Sequence, residues 1–214
     1  MKKTILIFLT LFCTILNAKA QEVKINDNFV VESDGTLRHD NSGTIWDDLS
    51  IPGMNAKPGV ASPDWAVYKG GIFLWMFKGT GTDEVCFTVQ MPHSWKVGSD
   101  IKPHIHWVPT TAPASNNVTW TLEYFWVNIG GTVGATTTIT SSTVTVGTPG
   151  IDTHLITGLG TISGAGKTLS SILVCRLYRD GGNPSDTYAD PAALLQADFH
   201  YEKDTEGSRS EYTK

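Results

Sequence analysis

From Ile72 onward, apolar and polar residues alternate in short runs bounded by turn residues, the two-residue period of strands that bury one face. Eight runs read this way: Ile72 to Lys78, Glu84 to Met91, Ile101 to Val108, Asn117 to Val127, Ala135 to Val146, Ile151 to Thr157, Ser171 to Arg179 and Leu194 to Lys203. Turn signals such as Gly79-Thr80-Gly81, Gly130-Gly131 and Gly181-Gly182 separate most of them. With no convincing amphipathic helix between them, the pattern predicts an all-β antiparallel sandwich of jelly-roll type with about eight strands.

Ile72 to Phe77 is apolar on both faces, which fits a strand covered on both sides, for instance by a neighbouring subunit. Ahead of the main pattern, residues 21–44 carry few apolar positions. Val23 and Ile25 alternate, Phe29-Val30-Val31 follows, and Asp34-Gly35 reads as a hairpin turn. This predicts an extended N-terminal arm or small hairpin that packs on the main domain or on another subunit. The jelly-roll domain is expected over residues 45–203, with a polar tail over residues 204–214.

Residues 1–20 follow a different logic. Lys2 and Lys3 precede an apolar run from Thr4 to Leu16, and Ala18-Lys19-Ala20 is a small-x-small cleavage site. The run is shorter than the ~20 residues a membrane helix needs, so it reads as a secretory signal and the protein as exported, to periplasm, cell surface or medium. Cleavage there removes Lys2, Lys3 and Lys19, leaving 13 basic against 21 acidic residues and a net charge of −8. That balance makes nucleic acid a poor partner, and no other apolar segment is long enough to insert in a membrane.

Cys86 and Cys175 follow the signal segment, and export would permit a bridge between them. Their strands put Cys175 on the face of Leu173 and Leu177 and Cys86 on the face of Glu84 and Thr88. Opposite faces favour two separate thiols.

Candidate chemistry centres on Pro103-His104-Ile105-His106-Trp107. Alternation puts both imidazoles on one face, roughly 6 to 7 Å apart along the strand, close enough to reach one ion. A third ligand is needed; His200, aligned with Asp198 and Glu202, and Glu123 are the candidates. Iron or zinc would suit such a set. The competing account is a pair of hydrogen-bonded structural histidines. Asp180, Asn183, Asp186 and Asp190 share one loop and could offer oxygens to calcium, although they are also ordinary turn formers. Gly164-Ala165-Gly166-Lys167-Thr168 lacks the first glycine and the following helix of a phosphate loop, so a hairpin turn accounts for it better. Ser94 beside His93 carries no elbow motif, and no catalytic residue is assigned. Of seven Trp, most sit within strands as core; Trp46, Trp65 and Trp95, near turns, are the candidates for exposed ligand contacts, sugars included.

Taken in order, Glu32-Ser-Asp-Gly-Thr36, Trp46-Asp-Asp-Leu49, Val89-Gln-Met-Pro-His93, Pro103-His-Ile-His-Trp107, Leu122-Glu-Tyr124, Leu177-Tyr-Arg-Asp180 and Asp198-Phe-His-Tyr-Glu202 resemble a family of jelly-roll modules of bacteriophage virion and tail-associated proteins and related bacterial proteins. The resemblance implies a non-enzymatic β module that self-associates, as a trimer for example, and presents loops to a partner, with no cofactor expected. The signal segment departs from a virion role and favours an exported structural or adhesive module. A secreted carbohydrate-binding module and a cupin-like metal-dependent enzyme using His104, His106 and His200 are the alternatives.

Overall fold

The computed structural model describes residues 21–111, 116–146 and 150–214; the signal segment lies outside them. The chain opens with a meander of β1 (Val23–Asn26), β2 (Phe29–Val31) and β3 (Leu37–His39). Then come β4 (Ile45–Pro52), β5 (Lys57–Pro58) and β6 (Asp64–Lys69). The remaining strands are β7 (Ile72–Phe77), β8 (Thr82–Gln90), β9 (Lys102–Pro109), β10 (Asn117–Val118), β11 (Trp120–Val127), β12 (Thr137–Thr140), β13 (Val144–Thr145), β14 (Leu155–Gly158), β15 (Ile172–Asp180) and β16 (Ala192–Lys203).

Two sheets make the sandwich. One runs β14-β9-β16-β7-β6, with β4 also paired to β16; the other runs β12-β11-β15-β8-β5. Leaving aside the N-terminal meander, the edge strands β4, β5 and β6 and the small β10–β13 pair, eight strands remain. The first lies beside the last and the third beside the sixth in one sheet; the second lies beside the seventh and the fourth beside the fifth in the other. All pairings are antiparallel. This is a jelly roll, and each of its eight strands overlaps one of the eight sequence-predicted runs, five of them extending past the predicted ends.

Between the sheets, alternation delivers Trp107, Trp120, Phe77, Phe199, Ile105 and Leu122 to a single core. Phe77 and Trp107 meet Trp120 edge-on at centroid distances of 4.9 and 6.1 Å. Trp107 Nε1 donates to Thr157 Oγ1 at 2.9 Å and Trp126 Nε1 to Ser171 Oγ at 2.8 Å.

The interior also holds an ion pair whose two side chains are both fully buried, Arg179 and Asp186, and Arg179 is its centre. It donates to both carboxylate oxygens of Asp186 at 2.9 and 2.8 Å and to the carbonyls of Phe77, Asp190 and Tyr188. The oxygens of the 180–190 loop that the sequence offers to calcium have partners within the protein. Asp186 is spent on Arg179, Asp190 Oδ2 accepts from Thr111, and Asp180 and Asn183 accept from backbone within their own turns.

Three other expectations meet the structure as follows. Trp95 is 0% exposed, packed 5.7 Å from Trp126, so it is core and not a surface contact. The outer face of β7 is covered by the chain itself: Leu74 and Met76 pack with Val108, Ala193, Ala66, Tyr68 and Leu195. Ile72 and Phe73 remain exposed. Cys86 and Cys175 are both free thiols, Cys175 buried and Cys86 half-buried, one register step apart on neighbouring strands. The N-terminal meander docks on the C-terminal segment through the Arg38–Thr205 bridge and the Glu32–Arg209 ion pair.

Candidate metal centre

The outer face of the six-stranded sheet gathers four of the six histidines. In β9, Ile105 and Trp107 fill the core, so His104 and His106 must point outward. Across the ladder, β16 sets Asp198 opposite His104 and His200 opposite Lys102. On its other side β4 sets Asp48 opposite His200. The edge strand β14 contributes Ile156 opposite His106 and the side-chain-free Gly158 opposite His104.

These neighbours form one constellation. His104 and His106 rings lie 4.8 Å apart between centroids, His104 and His200 4.3 Å. His106 Nε2 is 3.1 Å and His104 Nε2 3.7 Å from Asp198 Oδ2, while His200 Nε2 is 2.9 Å from Asp48 Oδ1. Two overlapping triads, His104–His106–Asp198 and Asp48–His104–His200, each bring their ligand atoms within 4.8 Å of one another. Within each triad the imidazole and carboxylate donors are of the kind that zinc and iron take.

Two atoms in the cluster lack partners. His106 Nε2 and Asp198 Oδ1 are buried without a hydrogen bond, the 3.1 Å approach to Asp198 Oδ2 having the distance of an ion pair but not the angle of a hydrogen bond. Buried polar atoms are normally satisfied, and these two belong to residues of the same triad, whose closest approach is between His106 Nε2 and the other carboxylate oxygen, Asp198 Oδ2. The other nitrogen of His106, Nδ1, lies 2.7 Å from Nε2 of His154, in the loop before β14. That loop is pinned by Asp152, which accepts from Tyr68 at 2.5 Å and Lys69 at 2.7 Å. An imidazole whose Nδ1–H is given to a neighbour keeps Nε2 as a lone-pair donor, the state a metal requires.

Burial first, then the adjacent His200 and His106, holds His104 below its ordinary pKa, against the opposite pull of Asp198. The ring is therefore neutral and ready to ligate at neutral pH. Beside the cluster lies an open cavity of about 390 Å³ lined by Asp48, Lys102, His104, His106, Ile156, Gly158, Asp198 and His200.

Of the sequence candidates, His104, His106 and His200 come together and Glu123 does not. Glu123 sits on β11 in the opposite sheet, where it accepts from Arg176 at 2.9 Å and Thr136 at 2.8 Å. Trp46 is 50% exposed and borders the cluster, its ring 6.4 Å from that of His200; Trp65 is 44% exposed and lies on β6, stacked on Phe73 at 6.0 Å. Sequence reasoning missed His154 and the place of Asp48 beside the histidines. His154 belongs to no strand pattern, and Asp48 sits in a segment whose pairing with β16 spans some 150 positions of chain. His93 and Ser94 make separate contacts, His93 with Ser208 and Ser170 and Ser94 with Tyr201. Lys167 donates to the Trp126 carbonyl from a turn, not a phosphate loop.

No family model matches this chain, and no curated protein matches it. Among solved structures it is similar to a family 35 carbohydrate-binding module from Clostridium thermocellum, with 12% identity, a TM-score of 0.39, and coverage of 72% of this chain and 97% of that one. It is also similar to the CBM35 of Cellvibrio japonicus Abf62, with 10% identity, a TM-score of 0.38, and coverage of 76% and 99%. The enzymatically active domain of tailspike protein 4 of bacteriophage CBA120 aligns at 9% identity and a TM-score of 0.32, over 72% of this chain and 19% of that one. The likeness is one of strand layout only.

Proposed function

We propose that this protein is an exported jelly-roll binding module built around a divalent transition-metal centre, with His104, His106, His200 and Asp198 as ligands and Asp48 at its open side. The observation that carries the reading is a pair of buried, unpartnered atoms, His106 Nε2 and Asp198 Oδ1, on residues of a triad whose ligand atoms lie within 4.8 Å of one another. A metal there satisfies both at once. The signal segment supports export. Three of the motifs behind the phage-module resemblance, in β4, β9 and β16, are the three adjacent strands of this cluster.

The test is direct. Protein stripped with chelator and titrated with Zn²⁺ in a calorimeter should take up about one equivalent, and His104→Ala or Asp198→Ala should abolish uptake. Absence of stoichiometric uptake by the unmodified protein removes the reading.

A second reading, saccharide binding, is favoured by the half-exposed indoles of Trp46 and Trp65. Loss of glycan-array signal in Trp46→Ala but not Trp65→Ala would place it at the centre. Self-association is a separate proposal supported by Trp65, Val67, Ile72 and Phe73, exposed along β6 and β7 at the sheet edge. A strict monomer in light scattering at micromolar concentration would oppose it.

A further inference from the structure

A second cavity, of about 590 Å³, opens beside the centre, and Lys102 lines both. We infer that this groove receives a carboxylate carried on a ring: the ring lies against Trp46, and the carboxylate is shared between Lys102 and the metal. The inference rests on the metal reading given above.

The charges of the groove select the ligand. Lys96 is neutralised by Glu202 at 2.9 Å, and Asp100 Oδ1 accepts from the Gly164 backbone at 3.3 Å. Lys102 has no carboxylate within ion-pair distance among the described residues; its Nζ rests 4.8 Å above the Trp46 ring. The ammonium is thus a cation stored on an aromatic face, from which it can turn to an arriving anion. A divalent ion offset by Asp48 and Asp198 is near neutral, and the groove's Lys96 and Lys102 balance Asp100 and Glu202; what Lys102 adds is an ammonium with no ion-pair partner among the described residues, at the junction of the two cavities. An anion belongs there.

Trp46 supplies the second requirement. Its indole is half exposed, tilted against His200, and forms a wall of the groove next to Lys102. A flat apolar wall next to one cation and one metal suits a ring bearing a carboxylate better than a bare inorganic anion, which would gain nothing from the indole. A sugar acid and an aromatic acid share this chemistry.

The experiment uses purified, zinc-loaded protein titrated with D-galacturonate, benzoate, D-galactose and inorganic phosphate, followed by calorimetry or ligand-observed NMR. Binding of at least one of the two ring acids, at least tenfold tighter than galactose or phosphate, supports the inference, and which acid binds identifies the source. The same titration on chelator-stripped protein should weaken binding at least tenfold. K102Q and W46A should each weaken it at least tenfold while zinc uptake stays near one equivalent. Galactose or phosphate binding as well as the acids, or acid binding indifferent to K102Q, overturns the inference. If zinc is taken up but neither acid binds at about 10 mM, this inference alone fails; if zinc is not taken up, it fails together with the metal reading.

Discussion

His154 offers the sharpest test of how the centre is organised, because it is exposed, touches the cluster once, and ligates nothing in the proposed set. Its Nε2 lies 2.7 Å from His106 Nδ1, and His106 Nε2 has no hydrogen bond of its own. The orientation and tautomer of His106 therefore hang on that contact. Partners of this kind are worth 10- to 100-fold in metal affinity, or about 1.4 to 2.7 kcal/mol. The open position of His154 decides where in that range the effect falls. Water can enter the space left by alanine and accept from Nδ1, so His154→Ala should cost about tenfold in zinc affinity. His154→Gln, which keeps an acceptor, should recover part of the loss. Competition of zinc against a chromophoric chelator at fixed pH reads the effect, and thermal melts of the metal-free proteins should agree, since an exposed substitution changes stability by only about 0.5 kcal/mol. Unchanged affinity in His154→Ala would refute the orienting role. A loss beyond a thousandfold would refute it in the other direction, by making His154 a ligand.

Asp186→Ala strands the guanidinium of Arg179 in the core by removing its two charge-assisted bonds, at 2.9 and 2.8 Å. The expected loss is about 3 to 5 kcal/mol, seen in thermal denaturation as a fall of roughly 6 to 20 °C that added calcium does not restore. Zinc affinity should fall as pH is lowered from about 7.5 to 5.5, because each imidazole ligand must shed a proton to bind; a pH-independent affinity would exclude histidine ligation. Metal-free protein should also lose stability below about pH 6.5. There the unfolded chain binds a proton that folded His104, held below its ordinary value, does not, so the melting temperature should rise with pH across that window. Gly158→Ala points a new methyl into open space, with no atom within 4 Å, and should stabilise β14 by about 0.5 kcal/mol while leaving zinc uptake intact.

Seven of the eight principal strands were legible because each sends residues into a single core, which writes a two-residue period into the chain; β12 contributes only the partly buried Ile139. Legibility fails where that constraint lapses. The strand β4 has no fully buried residue along Ile45–Pro52; only Leu49 and Ile51 reach the core, too short an alternation to mark a strand. Likewise β6 sits at the sheet edge with no residue fully buried. The predicted run Ala135 to Val146 divides into β12, paired with β11, and β13, paired with β10; at the change Ser141 donates its backbone N–H to the Trp120 carbonyl and its hydroxyl accepts from the Trp120 N–H. The centre divides along the same line. The outward direction of His104 and His106 follows from Ile105 and Trp107 being core. By contrast, Glu123 could be excluded only once its strand was assigned to the other sheet.

One irregularity decides whether there is a site at all. At the start of β16, Ala192 and Leu194 face the core, and Ala193 joins the outer apolar cluster. Carried on without interruption, that parity would send residues 196, 198 and 200 inward and bury Asp198 and His200 among Phe87, Phe199 and Trp107. Instead the register shifts between Leu194 and Gln196, and from there Ala197, Phe199 and Tyr201 fill the core. One extra residue on one strand reverses every side chain after it. The change of parity falls where β16 exchanges its neighbour β7 for β4, and Gly53, just after β4, lies so close that a Cβ there would stand 2.9 Å from the carbonyl oxygens of Leu194 and Leu195. The bulge thus performs two tasks together: it brings in the strand that carries Asp48 and Trp46, and it turns Asp198 and His200 out to meet them and the histidines of β9. The sequence holds the trace of this in the consecutive Leu194-Leu195, where two apolar residues in succession break an otherwise regular alternation.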